Sequence, residues 1–122
     1  MKHQYHGLDH VQLAAPAQSE SQARTFYTGI LNMPEIEKPE KLKSRGGVWF
    51  QCGNHQVHIG IQNNFTAARK AHPAFRVEGL SELRTLLIQR GIEVRDDKER
   101  EGIERFFIDD PFGNRLEFIE WM

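Results

Sequence analysis

His10-Val11-Gln12-Leu13-Ala14-Ala15-Pro16 sets a histidine at the head of a short apolar run, and 62 residues later His72-Pro73-Ala74-Phe75 opens another. The same offset returns Ser19 as Ser81, Gly29 as Gly91 and Ile30 as Ile92. Matches in one register point to duplication, and a repeat organises everything read after it. The ends of the halves match once a small gap is allowed. Gly53-Asn54 precedes His55-Gln56-Val57-His58-Ile59, and Gly113-Asn114 precedes Arg115-Leu116-Glu117-Phe118-Ile119.

Each half reads as strand, helix, then three strands, which makes the chain α+β with two tandem βαβββ modules. The first helix is predicted to start at Ser19, where Ser19-Glu20-Ser21-Gln22 has capping-box spacing. Ala23, Phe26, Tyr27 and Ile30 form its apolar stripe, and Gly29 is expected to end it. The second starts near Ser81, buries Leu80, Leu83, Leu86 and Leu87, and stops at Gly91. Strands are read at 35–37, 47–52 and 55–62, then at 92–95, 103–109 and 114–120, separated by Gly46-Gly47, Gly53-Asn54, Glu101-Gly102 and Asp110-Pro111-Phe112-Gly113-Asn114. Lys38 to Arg45, charged and broken by Pro39, is read as a solvated loop. The whole of 1–122 is taken as a single domain, with module one at about 7–62, a linker at about 63–70 and module two at about 71–120.

The 122 residues carry 16 basic and 17 acidic side chains, a formal net charge of −1. Such a balance excludes the basic footprint of a protein that works on nucleic acid or an anionic membrane, and leaves a small molecule as the partner. A chain of this size buries a real core, but often commits part of its apolar surface to an oligomer, so a homodimer is expected. Cys52 is the only cysteine, which excludes an intrachain disulfide and a CxxC redox pair. Met1 to His6 has no apolar run, and no segment reaches the roughly 18 apolar residues of a membrane helix. The expected location is the cytoplasm.

Alternate residues of a strand face opposite sides, so parity sorts the best strands. His10, Gln12 and Ala14 oppose Val11, Leu13 and Ala15. Gln56, His58 and Gly60 oppose Val57, Ile59 and Ile61. His72, Ala74 and Arg76 oppose Pro73, Phe75 and Val77, while Arg115, Glu117 and Ile119 oppose Leu116 and Phe118. The greasy faces should carry the helices. The others, in half-sheets curling toward each other, would form a curved mixed sheet around a cleft holding His10, His58, His72, Glu117, Gln12, Gln56, Arg76 and Arg115. Imidazole and carboxylate on rigid strands suit a divalent first-row metal, although the same pattern also fits hydrogen-bonded, part-buried histidines. His3, His6 and His55, on a tail or at the wrong parity, are assigned to solvent.

Leu8-Asp9-His10-Val11, the capped helix with Phe26-Tyr27, His72-Pro73-Ala74-Phe75 and the run from Asp110 to Phe118 together resemble the vicinal oxygen chelate superfamily, from about Gly7 to Glu120. Asp-Pro-x-Gly-Asn-x-x-Glu is the most specific element. The resemblance implies a glyoxalase-like fold and one divalent metal (Zn, Ni, Mn or Fe) per site, held by His10, His58, His72 and Glu117. Glyoxalase I of the four-ligand type has a glutamate where this chain has His58.

The implied activity is that of a metal-dependent lyase or isomerase whose small substrate chelates the metal through two neighbouring oxygens. Glu117 would act as the base, His58 as fourth ligand or acid/base, and Gln12, Gln56, Arg76 and Arg115 would bind substrate. Two alternatives stand beside it: a non-catalytic resistance protein that traps a small molecule as bleomycin-binding proteins do, and, third, an extradiol-type dioxygenase.

Overall fold

The computed structural model describes residues 2–122; of the N-terminal run read above, Met1 lies outside them. The chain divides into two compact units, Met1–Asn63 and Asn64–Met122. In order, the first holds β1 (His10–Ala15), α1 (Glu20–Ala23) continued by a π-helical turn (Arg24–Thr28), β2 (Glu35–Ile36), a 3-10 turn (Glu40–Arg45), β3 (Val48–Cys52) and β4 (His55–Ile61). The second holds β5 (Ala74–Arg76), α2 (Leu80–Gln89), β6 (Arg95–Asp97), β7 (Ile103–Asp109) and β8 (Arg115–Trp121). Each unit is therefore βαβββ, and each forms a four-stranded mixed sheet, ordered β1-β4-β3-β2 and β5-β8-β7-β6. No helix among the described residues is long and apolar enough to cross a membrane.

In the first unit β1 runs parallel to β4, which the intervening helix permits, and β4–β3–β2 are antiparallel neighbours. The alternation read from sequence holds. Val48, Phe50, Val57 and Ile59 are buried on one face, with Ala23, Phe26 and Tyr27 of the helix buried in the same unit. The Tyr27 and Phe50 rings stack with centroids 5.3 Å apart.

The helix departs from expectation at its start and ends at Gly29 as expected. Ser19 makes no side-chain cap bond; its Oγ donates backward to the Pro16 carbonyl at 2.5 Å, so the capping box is absent. Gly29 does follow the last helical residue, yet its φ of −71 is ordinary right-handed backbone. Hydrogen bonds from Gly29 N to Arg24 O and from Leu31 N to Phe26 O widen the last turn, and the left-handed exit falls to Asn32, at φ 62. The charged run expected as a loop closes instead into the 3-10 turn, a form short polar connections often take.

The second unit repeats the plan. β5 is parallel to β8, and β8–β7–β6 are antiparallel. Phe75, Phe106, Ile108, Leu116 and Phe118 are buried with Leu80 and Leu87 of α2. Gly91, at φ 77, ends the helix as predicted: Ile92 N reaches Leu87 O at 3.0 Å across it, a left-handed exit that glycine takes without steric cost. Strand six starts three residues later than its expected 92, at Arg95, and strand five spans only Ala74–Arg76, leaving His72 in the segment just before it. Buried Asp110 takes the amides of Phe112 and Asn114 at 2.9 and 2.8 Å and the Asn114 side-chain amide at 2.9 Å. The Asp-Pro-Phe-Gly-Asn stretch is thus a turn device that hands the chain into β8, three residues ahead of Glu117.

Candidate metal and substrate site

The two sheets use one register for their polar faces. Gln12 of β1 pairs with His58 of β4, and Ala74 of β5 pairs with Glu117 of β8. Because the β1 histidine lies two residues before Gln12, and His72 two before Ala74, each unit sets a histidine beside the functional side chain of its last strand. The third strand adds an aromatic ring directly opposite: Trp49 pairs with His58, and Phe107 with Glu117.

In the first unit these side chains form a stack. His58 is buried, with the His10 ring 4.1 Å away on one side and the Trp49 ring 3.7 Å away, tilted by 2°, on the other. Burial is the main cause that holds the His58 pKa below its ordinary value, the nearby His10 adds to it, and Asp9 opposes both. The ring is accordingly neutral at neutral pH. His58 Nε2 meets Gln56 Oε1 at 2.9 Å; a carbonyl oxygen only accepts, so Nε2 carries the proton and Nδ1 the lone pair. His10 is tied the other way, with Nδ1 2.8 Å from the Asp9 carboxylate, which leaves its lone pair on Nε2.

In the second unit the chemistry is ionic. His72 Nδ1 lies 2.8 Å from the Lys70 carbonyl and must donate to it, while Nε2 faces Glu117 Oε1 at 2.9 Å. With Nδ1 already protonated, an imidazole lone pair and a carboxylate lone pair meet at Nε2, and only a cation between them makes the contact attractive. A proton meets that need, and so does a metal ion. A histidine that ligates through one nitrogen while donating the other to a carbonyl or carboxylate is the usual oriented arrangement, and both His10 and His72 have it. The donors present fit a divalent first-row metal.

The remaining expected residues are placed as follows. Gln12 is exposed, its Nε2 donating to the Leu13 carbonyl at 3.2 Å and lying where a Cβ on Gly60 would sit. Gln56 holds His58, as described. Arg76 is exposed, 5.9 Å from the Trp121 ring. Arg115 is half-buried, 4.4 Å over Phe107. His3, His6 and His55 are exposed, as assigned. Among the described residues, no group of three or more His, Cys, Asp or Glu side chains forms a ready-made cage; the donors come as one pair in each unit.

Three residues were passed over by a reading centred on the first and last strands. Trp49 and Phe107 are two, and alternation applied to β3 and β7 finds both. The third is Arg105, which puts Nη1 3.3 Å from Glu117 Oε2 and Nη2 3.1 Å from Asp97 and so keeps the buried Glu117 carboxylate partnered. Cys52 has its pKa raised by burial, and as a protonated thiol it takes no part.

Two βαβββ units that offer imidazole and carboxylate from matching strand positions define the glyoxalase-like class of fold. Residues 7–118 match the family model of the Glyoxalase/Bleomycin resistance protein/Dioxygenase superfamily, and the chain belongs to that superfamily. It is 52% identical to a Bacillus anthracis protein of the glyoxalase family, with a TM-score of 0.97 over 100% of both chains. The fold is shared with lactoylglutathione lyase from Agrobacterium tumefaciens, at 20% identity and TM-score 0.76 over 95% of this chain and 94% of that one. It is shared also with a fosfomycin resistance protein from Listeria monocytogenes in complex with Mn(II) and a dihydroxypropylphosphonic acid, at 17% identity and TM-score 0.78 over 98% and 95%. Comparison with curated proteins gave no match.

Proposed function

We propose that this protein is a metal-dependent lyase or isomerase whose small substrate presents two neighbouring oxygens to the metal. The observation that carries the reading is the 2.9 Å approach of His72 Nε2 to Glu117 Oε1 with Nδ1 already committed to Lys70. The pair offers a cation one imidazole nitrogen, from the segment just before β5, and one carboxylate oxygen, from β8. In this reading His72 Nε2 and Glu117 hold the ion, one of Zn, Ni, Mn or Fe; the sequence resemblance adds His10 as a ligand and His58 as fourth ligand or as acid/base.

When bound, a divalent ion with open positions polarises the two substrate oxygens and stabilises the anion that develops on them. Glu117, whose Oε1 faces His72, would take the proton from the carbon beside the carbonyl. Arg105 on Oε2 fixes which carboxylate oxygen does so. His58, neutral because it is buried, offers Nδ1 as acceptor, and Gln12 and Gln56 supply amides to substrate oxygens. A homodimer is the proposed active form, and sedimentation at twice the 14.2 kDa chain mass checks it.

The test is elemental analysis of untagged protein before and after exposure to nickel, zinc, manganese and ferrous iron. About one ion per chain is expected, with a rise in thermal stability, since an ion bound only by the folded state stabilises it. Glu117→Gln and His72→Ala should each lose it. Uptake unchanged in both variants would reject the ligand assignment, and no uptake by the wild type would leave a non-catalytic small-molecule trap.

A further inference from the structure

The polar face of the second sheet carries Arg76, Arg95, Arg105 and Arg115, and Arg95 and Arg105 are answered by carboxylates. Arg95 Nη2 lies 3.0 Å from Asp109, and Arg105 is shared between Asp97 and Glu117. Arg76 has no carboxylate but is exposed to water. Arg115 has neither an ion pair among the described residues nor full exposure to water: it is half-buried with its guanidinium 4.4 Å over the face of Phe107, and its Nε, like that of Arg105, is sealed from solvent without an acceptor.

A guanidinium withdrawn from water is costly unless an anion answers it, and an aromatic face compensates only in part. The equivalent position in the first unit is Gln56, a neutral side chain already bonded to His58. The cation is thus a departure from the repeat, placed on one polar face only. Phe107 fixes where it points. Its ring lies 4.4 Å from the Arg115 guanidinium and 5.4 Å from the His72 ring, and Phe107 pairs across the ladder with Glu117. An anion seated on Arg115 is one aromatic ring away from the His72–Glu117 pair.

We infer that Arg115 docks an anionic oxyacid group, carboxylate or phosphonate, through the paired N–H donors of its two terminal nitrogens, the Nε–H lying behind them out of solvent. Fork-shaped donors match both oxyanions. Taken with the function proposed above, on which the word substrate rests, this makes the substrate a small acid, its charge on Arg115 and its oxygen pair beside Glu117. The anion site itself requires no metal.

The experiment titrates acetate, methylphosphonate and, as uncharged control, acetamide into nitrogen-15-labelled protein freed of metal with EDTA. The Arg115 Nε–H resonance, assigned by its loss in Arg115→Met, is the readout, together with the Phe107 and Leu116 amides. Both anions should move these signals saturably and acetamide should not; the tighter anion names the substrate's acidic group. Arg115→Met, which keeps the stem packed on Phe107, should weaken anion binding by about tenfold or more with an otherwise unchanged amide spectrum, and Arg115→Lys, with charge but no fork, should retain part of it. A Nε–H signal that does not move, acetamide binding as well as acetate, or Arg115→Met within about twofold of wild type overturns the inference. Metal uptake by the same preparations separates the two proposals: anion binding without metal uptake rejects the metal enzyme and keeps this site, and metal uptake without anion binding does the reverse.

Discussion

The polar faces of the two sheets share a register, a histidine and an aromatic ring, and differ in the side chain set between them and in the charge around it. In the first unit the paired positions hold His10, His58 and Trp49, three flat rings in a stack around a neutral imidazole. In the second the same positions hold His72, Glu117 and Phe107, with Arg105 and Arg115 closing on them. The backbone explains why the difference is stable. Position 105 corresponds to Gly47, whose φ is +86 and whose Cβ would collide with the Ile59 carbonyl. No arginine is tolerated there, so a buried carboxylate at position 58 would lack the partner that Glu117 has. Duplication has kept the ladder and let each half specialise, one in neutral nitrogen donors and the other in charge.

The largest effect that tests this contrast is Glu117→Leu. Removing the carboxylate leaves His72 and Arg105 facing an apolar side chain in a buried setting, and breaking a buried pair from one side costs about 3 kcal/mol. Arg105 keeps Asp97, so we expect about 2–3 kcal/mol, read by urea denaturation without added metal. His58→Leu in the first unit loses one hydrogen bond and a ring stack, and should cost about 1–2 kcal/mol. Equal losses would mean that the second unit's charges are solvated rather than mutually supported.

The architecture was legible because duplication repeats its signals, and strand alternation is enforced by burial of a whole face. Val57 and Ile59 had to go inward, which sent Gln56 and His58 the other way. The helix starts were less legible. Ser19 has the right spacing for a capping box, but the nearby Pro16 carbonyl captures its hydroxyl first, a competition among local acceptors that spacing does not record. The candidate donors His10, His58, His72 and Glu117 were readable from parity, and their pairing within each unit follows from the register. Arg105 and Trp49 were not reached, because their roles depend on which residue lies opposite across an antiparallel ladder, and register between strands is set by turn geometry as much as by pattern.

His58→Glu sharpens the comparison by moving the second unit's chemistry into the first. The new carboxylate would sit between Trp49 and His10 with no guanidinium, and burial would raise its pKa in the folded state. The folded protein would then hold more protons than the unfolded chain over that interval, so this contribution to stability falls as pH rises. Wild-type His58 has the opposite sign. Its folded pKa is lowered from 6.5, the unfolded chain holds more protons just below that value, and its contribution grows as pH rises through the window. The stability gap between wild type and variant should therefore widen from about pH 5 to about pH 7, reaching about 1–2 kcal/mol. A gap that stays constant across this range would show that position 58 titrates as if in water, and the neutral stack would lose its physical basis.

The smallest effect concerns how each helix is tied to its sheet. Glu120 of β8 reaches under α2 and accepts from Gly79 N and Leu80 N at 3.2 and 3.0 Å, capping the helix from outside its own sequence. Glu20 does the reverse: it belongs to α1 and holds the loop, accepting from Gly47 N at 2.9 Å. That amide bond is the main cause lowering the Glu20 pKa from 4.5. Its stabilisation is therefore present above 4.5 and lost as pH falls through the lowered folded value. Glu120→Ala strands two helix N–H groups and should cost about 1 kcal/mol at neutral pH, while Glu20→Gln, which still offers a neutral acceptor, should cost a few tenths of that unit and flatten the acid end of the stability profile. A loss for Glu20→Gln as large as that for Glu120→Ala would mean that the Gly46-Gly47 turn needs its anion, since that turn sets the start of β3 and with it the place of Trp49 against His58.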